Sequence, residues 1–342
     1  MDWLLTVSVI LICTGGVVGL LALAAMFYIG WKYLHIVERI FEEKPFFLVK
    51  RVKPEALDHQ DVDLKTADGL TLAGTYLRTP AEQRKGVILF VPEYGASRWT
   101  CLSYCRHLLE DGYDLFTFDF RNFGESDIAT KYQPLQWVTE YEVRDIQAAL
   151  DYLKNRFDLP EKGIGLFGVS RGGGTALVAA SQEPQVACVI TDGAFGAITT
   201  MLQYMRRWVS IYATSLQLKR IFAAGAYWML AHWALWRVAR RRHCRFPSVE
   251  KAARKLSPRP WLQIHGGSDS YITPQIARQL HACGGPPKEL WLVEDAKHNQ
   301  AIQTAPDDYK QRVLDFFQAH LAEPLPIDSV KVLESKEIEV GV

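Results

Sequence analysis

Five residues, Gly168-Val169-Ser170-Arg171-Gly172, concentrate the chemistry this sequence can do: they follow a short apolar run at 163–167 and lead into a run of small residues at 172–180. A serine at such a strand-to-helix junction sits on a tight, strained turn that lifts its Oγ clear of the backbone, and Gly168 and Gly172 let strand and helix approach closely. A serine hydroxyl is a weak nucleophile, so attack on an acyl carbonyl requires a general base and an acid that orients the base. Of nine histidines, His298 stands just after the last strand-like run, in Glu294-Asp295-Ala296-Lys297-His298-Asn299. His265 falls inside a strand pattern and His320 inside a helical one, where structural roles are expected. Asp269 follows the run at 261–265 through Gly266-Gly267-Ser268, at the carboxyl edge where a ligand-facing acid belongs. Asp192 is the alternative acid, with capping of the turn Thr191-Asp192-Gly193 as its structural reading, and Asp295 serves a turn. The oxyanion formed on attack needs backbone N–H donors. Arg171 supplies one, and the loop Pro92-Glu93-Tyr94-Gly95 supplies the other, from Tyr94 or from its neighbour Glu93.

Periodicity locates the strands and helices that carry these residues. Period-two runs start with a hairpin around Ala67-Asp68-Gly69, followed by a buried-type strand at 87–91. Helices at 99–109, 138–153 and 172–180 then alternate with strands at 113–120, 164–167 and 186–190. After a long helical insertion at about 197–253 the rhythm resumes with strands at 261–265 and 289–293 and helices at 274–282 and 307–320. This alternation predicts an α/β domain with a mostly parallel sheet, the insertion forming a cap.

With these pieces assembled, residues 61–321 resemble the α/β-hydrolase superfamily. The likeness rests on Pro92-Glu93-Tyr94-Gly95 where that family usually has His-Gly-x-Gly, on Asp119-Phe120-Arg121-Asn122-Phe123-Gly124-Glu125-Ser126 as its Asp-x-Arg-Gly-x-Gly-x-Ser turn, on the serine elbow, and on the Gly-x-x-Asp and Lys-His-Asn loops. The departures are Pro92-Glu93 for His-Gly and Asn122 for Gly. The resemblance implies an α/β-hydrolase fold with flanking helices and a Ser170, Asp269, His298 triad, and within the superfamily the chain looks most like membrane-anchored serine hydrolases with an N-terminal helix.

No residue from Trp3 to Trp31 is charged, a stretch longer than the roughly 20 helical residues that cross a bilayer's hydrocarbon core. Residues 1–31 are therefore expected as a transmembrane anchor. A cleaved signal peptide ending near Ala22-Leu23-Ala24 is the competing reading; the stretch is too long for it, lacks a basic leader and continues through Met26, Phe27, Tyr28 and Ile29. Lys32, Arg39, Lys44, Lys50, Arg51 and Lys53 flank its far end against Asp2 at the near end, which predicts a single-pass protein with its catalytic domain in the cytoplasm. Gly15 and Gly19 form a GxxxG that could seat a helix dimer. The expected layout is the anchor, a juxtamembrane linker at 32–56, a hydrolase domain at 57–321 and a flexible tail at 322–342.

The net charge of +1 hides a strong asymmetry, because the window from Gly193 to Val249 holds nine Lys or Arg and no acid. The tryptophans mixed into it point to a lipid bilayer rather than nucleic acid as the partner, against the plainer reading of a solvated basic face. Within the cap, residues 221–236 include Trp228, Met229, Leu230, Trp233, Leu235 and Trp236 and no formal charge. A single crossing there would separate Ser170 from Asp269 and His298, so this stretch is a lid, re-entrant or interfacial helix, or else a buried helix of the cap. Six cysteines show neither CxxC pairs nor metal-ligand spacing and are expected as free thiols; Cys101 and Cys105 lie one helical turn apart. Gly172-Gly173-Gly174 lacks the Lys-Ser/Thr ending of a phosphate loop. No metal or cofactor is expected. The reading that follows is hydrolysis of a lipophilic acyl ester or thioester; a serine aminopeptidase would want acids in the cap, and a catalytically silent membrane scaffold would not need the three triad residues.

Overall fold

The computed structural model describes residues 2–43, 57–156, 161–212 and 224–322. Residues 323–342 of the expected tail, residues 44–56 of the expected linker, and Lys219, Arg220 and the start of the apolar cap stretch lie outside the described residues. The chain divides into two compact units, the larger falling within residues 44–200 and 242–342 and the smaller within 1–43 and 201–241.

In the larger unit, β1 (His59–Lys65) and β2 (Thr71–Leu77) form an antiparallel hairpin, and Gly69 takes a φ of 87° in its turn. The chain continues through β3 (Gly86–Val91), α2 (Cys101–Glu110), β4 (Tyr113–Phe118), α3 (Glu140–Lys154), β5 (Ile164–Val169), α4 (Arg171–Ala180) and β6 (Val186–Asp192). After the insertion come α7 (Val249–Leu256), β7 (Trp261–Gly266), α8 (Pro274–Cys283), β8 (Lys288–Val293), α9 (Ala301–Thr304) and α10 (Pro306–His320). The eight strands form one sheet in the order β1-β2-β4-β3-β5-β6-β7-β8, antiparallel at β1 and β2 and parallel from β4 onward. Helices cover both faces, which is why β3, Gly-Val-Ile-Leu-Phe-Val, is buried along its whole length rather than on alternate residues. Leu89 and Val91 join the core with α3, α4 and α7, whereas Ile88 and Phe90 join that with α2 and α10. Cys101 and Cys105 are free, buried thiols of the second core.

The sequence reading extends the strand at 113 to residue 120, but β4 stops at Phe118 because the next residues turn back. Asp119 organises that turn, accepting from the N–H of Arg98 at 2.6 Å and of Glu125 at 3.0 Å and from Arg98 Nη1 at 2.5 Å. Asn122 sits at φ 66°, where the related motif has glycine. Its side chain meets the conformational demand locally: Oδ1 accepts from Ala129 N–H at 2.9 Å, and Nδ2 donates to Tyr132 O at 2.9 Å.

The smaller unit combines α1 (Asp2–Glu42) with most of α5 (Ala197–Tyr212) and α6 (Ala224–Arg242). Residues 32–42, expected as part of a linker, continue α1 as helix. Their buried stripe explains the difference: Gly30, Leu34, Val37, Glu38 and Phe41 recur at helical spacing and pack inward. Tyr33, Ile36, Val37 and Ile40 line a cavity of about 30 Å³ with Met205, Trp208, Val209, Tyr227 and Leu230. Trp3, Leu11, Leu20 and Phe27, by contrast, are exposed on the first part of α1. Thr6–Glu42 is long and apolar enough to cross a membrane, with mean hydropathy 2.5 in its most apolar window and none of that window buried. The expected cap at 197–253 is too long: α7 buries Val249, Ala252, Ala253 and Leu256 in the core of the larger unit.

Candidate active site

Ser170 stands between β5 and α4 at φ 52°, ψ −118°, a backbone conformation that L-residues rarely adopt. The strain is held by close packing on every side. A Cβ at Gly168 would lie 2.5 Å from Gly172 O, and one at Gly172 would lie 2.2 Å from Val91 O and 2.4 Å from Pro92 O, so neither glycine can be replaced without moving backbone. Ser170 N–H donates to Asp192 O at 2.7 Å, and Ser170 O accepts from Gly173 N–H at 3.0 Å. What remains free to react is the Oγ.

That Oγ lies 2.9 Å from His298 Nε2, and His298 Nδ1 lies 2.7 Å from Asp269 Oδ2. With Nδ1–H donating to the carboxylate, Nε2 keeps its lone pair toward the serine hydroxyl. Asp269 is buried, and its other oxygen, Oδ1, accepts from the N–H groups of Tyr271 and Ile272, each at 2.9 Å. Three segments that are far apart in sequence thus form one continuous hydrogen-bonded series. Backbone contacts lock the two loops together: Gly267 N–H donates to Val293 O at 2.7 Å and Ser268 N–H to Ala296 O at 2.9 Å, and a Cβ at Gly266 would fall 2.4 Å from Ala296 O. Asp295 and Asn299 take positive φ at the turns on either side of His298.

Asp192, the alternative acid, bonds elsewhere. Its Oδ2 accepts from the Tyr309 hydroxyl at 2.9 Å, and its Oδ1 is buried with no hydrogen-bond partner among the described residues. Burial pushes its carboxyl up to about 7, with Glu93 and Asp269 adding like-charge repulsion. Glu93 shares this setting, since its Oε2 is sealed from solvent without a hydrogen-bond partner among the described residues and burial raises its carboxyl to about 7. His265 is fully buried, donates from Nε2 to Ile272 O at 2.6 Å and lies 3.5 Å from Asp269 Oδ2. Burial holds it below its ordinary value, so it is a neutral neighbour of the acid.

The two expected oxyanion donors lie on adjoining pieces of backbone. Arg171 opens α4, so its N–H is one of the first-turn donors a helix leaves unpaired. Tyr94 follows β3 in the loop whose Pro92 O presses on Gly172. The Arg171 guanidinium lies over the Tyr94 ring at 5.0 Å and also over Phe120 and Phe123. Its Nη1 donates to Leu135 O at 2.9 Å and to the buried Glu142 at 3.2 Å. The position of Arg171 in the elbow predicts a backbone role only; its side chain braces the elbow against α3 and the Tyr94 loop. Tyr271 and Phe195 flank the imidazole, with ring centroids 5.2 and 6.5 Å from that of His298. Apart from its position two residues after Asp269, Tyr271 carried no signal in the sequence.

A family model described as the alpha/beta hydrolase fold matches residues 86–217, which contain β3 to β6 and the serine elbow. An uncharacterized protein of Escherichia coli strain K12, YfhR, is 24% identical over 277 residues, covering 78% of this chain and 84% of its own length. A thiohydrolase of Aspergillus aculeatus is 29% identical over 140 residues, 40% of this chain and 42% of that protein. Among solved structures, an esterase of Pyrococcus furiosus superposes with a TM-score of 0.58 at 22% identity, covering 81% of this chain and 97% of the other. Strand order, elbow and family match coincide, and the chain is a protein of the α/β-hydrolase fold.

Proposed function

We propose that this protein is a membrane-anchored serine hydrolase that cleaves a lipophilic acyl ester or thioester through an acyl-enzyme. The reading rests on one observation, the hydrogen-bonded series from Ser170 Oγ through His298 to Asp269. As Oγ attacks the acyl carbonyl, Nε2 of His298 takes the hydroxyl proton, and Asp269 stabilises the imidazolium. The negative charge on the carbonyl oxygen falls to the N–H groups of Arg171 and Tyr94. His298 then passes its proton to the leaving oxygen or sulfur as the tetrahedral intermediate collapses, so that a neutral alcohol or thiol departs and the acyl group stays on Ser170. Water, activated by the same imidazole, attacks the acyl-enzyme, and collapse of the second intermediate frees Ser170 and the carboxylic acid.

Support for an acyl ester or thioester comes from the similar proteins, which include esterases and a thiohydrolase. The lipophilic character of the substrate and the anchor are read from α1, whose uncharged run from Trp3 to Trp31, with Trp3, Leu11, Leu20 and Phe27 exposed, suits a bilayer. The anchor reading keeps the catalytic domain on the cytoplasmic side, the side of Lys32 and Arg39. A panel of p-nitrophenyl esters of rising acyl length, assayed with the full chain in detergent and in liposomes, tests the substrate class. Activity that rises with acyl length and is stimulated by liposomes is the expected result. A preference for acetyl esters that ignores liposomes overturns the lipophilic substrate and leaves the hydrolase.

A further inference from the structure

The smaller unit contains a register that catalysis does not use. α6 lies along the last third of α1 and runs in the same direction. The Trp233 ring is 5.9 Å from that of Phe27 and covers Gly30, where a Cβ would fall 2.5 Å from it. Farther on, Arg237 pairs with Glu38 at 2.7 Å, and Arg241 pairs with Glu38 at 3.2 Å and with Glu42 at 2.9 Å. Rising numbers on one helix meet rising numbers on the other, so a depth on α1 can be transferred to α6.

On α1 the first charge after the apolar stretch is Lys32, and on α6 it is Arg237. Arg237 reaches Glu38, six residues or about 9 Å past Lys32, so it stands beside the first charged turns of α1. Two helices of unrelated sequence therefore change from charge-free to charged within about two turns of one another. A packed bundle in water has no need of that coincidence, whereas a boundary between hydrocarbon and water imposes it. The outward face of α6 fits such a boundary. Trp228, His232, Trp236 and Arg240 recur every four residues; Trp228 and Trp236 are 57% and 52% exposed, Trp228 stacks on His232 at 3.9 Å, and Arg240 lies 4.6 Å over Trp236. Neither α5 nor α6 contains an acid, and α5 sets exposed Arg206 and Arg207 beside Trp208, whose ring meets that of Tyr33 at 6.1 Å, near the same level.

We infer that α6 is a second, partial insertion into the membrane: its charge-free half lies beside the anchor with Trp228 below the headgroups, Trp236 among them, and Arg237, Arg240 and Arg241 at the phosphates of an anionic lipid surface. The inference rests on the reading of α1 as a membrane span. Its consequence is that the insertion between β6 and α7 is held at the bilayer by two helices packed together, not by a tether alone.

The test uses the full chain in nanodiscs of equal parts phosphatidylcholine and phosphatidylglycerol, with Cys13→Ser and Cys283→Ser removing the more accessible thiols. Single nitroxides are placed through Leu20→Cys, Trp228→Cys, Trp236→Cys, Arg240→Cys and Arg254→Cys, and collision rates with oxygen and with a water-soluble nickel chelate report depth. The expected oxygen-to-nickel ratio at 228 is several-fold above that at 254, with 236 and then 240 falling in order between them, and 20 is as high as 228 or higher. A water-like ratio at 228 with a hydrocarbon-like ratio at 20 overturns the inference and leaves the anchor. A water-like ratio at 20 overturns both. Protection of 228 from both colliders overturns it in favour of a protein partner or a second copy on this face. The chain with its tryptophans intact gives an independent check: brominated lipid quenches its fluorescence, and Trp228→Phe reduces the quenchable fraction; an unchanged fraction also counts against the inference.

Discussion

Asp192 and Asp269 occupy comparable places at the carboxyl ends of the neighbouring strands β6 and β7, and both are shut away from water. Their surroundings divide them. Asp269 receives two backbone N–H groups and an imidazole, so each of its oxygens has a partner. Asp192 receives one phenol hydroxyl, keeps one bare oxygen and faces Glu93, and its carboxyl is raised to about 7. A buried acid at a strand end orients a histidine only where the following loop turns its N–H groups inward and the histidine loop reaches it; elsewhere the same burial yields a structural acid that holds its proton.

The largest separation between the two lies in catalysis. Asp269→Asn keeps the shape of the acid, but with its amide oxygen held by the Tyr271 and Ile272 N–H groups its Nδ2 donates to His298 Nδ1, which favours the wrong tautomer and removes the charge that stabilises the imidazolium, and kcat on p-nitrophenyl acetate should fall by about 10³- to 10⁴-fold. Asp192→Asn should leave kcat within a few-fold, and a loss comparable to that of Asp269→Asn would break the comparison.

Stability separates them next, with a sign set by the raised carboxyl. The folded protein keeps the Asp192 proton that the unfolded chain loses in the ordinary carboxylate range, so its contribution is intact below that range and is lost as pH rises through about 7. Asp192→Asn should remove that decline and raise unfolding stability above neutrality by on the order of 2 kcal/mol, measured by urea denaturation across pH. A variant that is no more stable than the parent at alkaline pH would contradict the protonated acid.

The smallest effect sharpens the account of the phenol. Tyr309, whose own hydroxyl burial holds well above its usual range, is a donor to Asp192. Tyr309→Phe should cost about 1 kcal/mol, more above neutrality than below it, with hydrolysis little changed. A selective loss of kcat would mean that Tyr309 serves the reaction.

Much of this contrast was legible in the sequence, and the physical reasons are specific. The elbow was readable because its glycines are demanded by backbone contacts that admit no Cβ, and His298 and Asp269 because each directly follows a strand-like apolar run. Asp269 is the acid the sequence favours, with Asp192 the alternative because both follow such a run; what separates them is long-range packing, the imidazole of His298 on Asp269 and the phenol of Tyr309, 117 residues away, on Asp192. The same holds for Arg171 and Glu142, a buried pair from different helices with no shared periodicity. Lys32, Glu38 and Arg39 suggest a solvated linker at the end of α1, whereas Gly30, Leu34, Val37 and Phe41 mark a helical stripe there. Helical periodicity does not say which core the stripe of α7 enters.

In the proposed reaction Ser170 is the nucleophile. Treatment of the full chain with a fluorophosphonate, followed by mapping of the adduct by mass spectrometry, reports which residue attacks. One adduct on the peptide containing Ser170, absent from Ser170→Ala together with ester hydrolysis, is the predicted result; an adduct on another residue, or hydrolysis that survives Ser170→Ala, would contradict it.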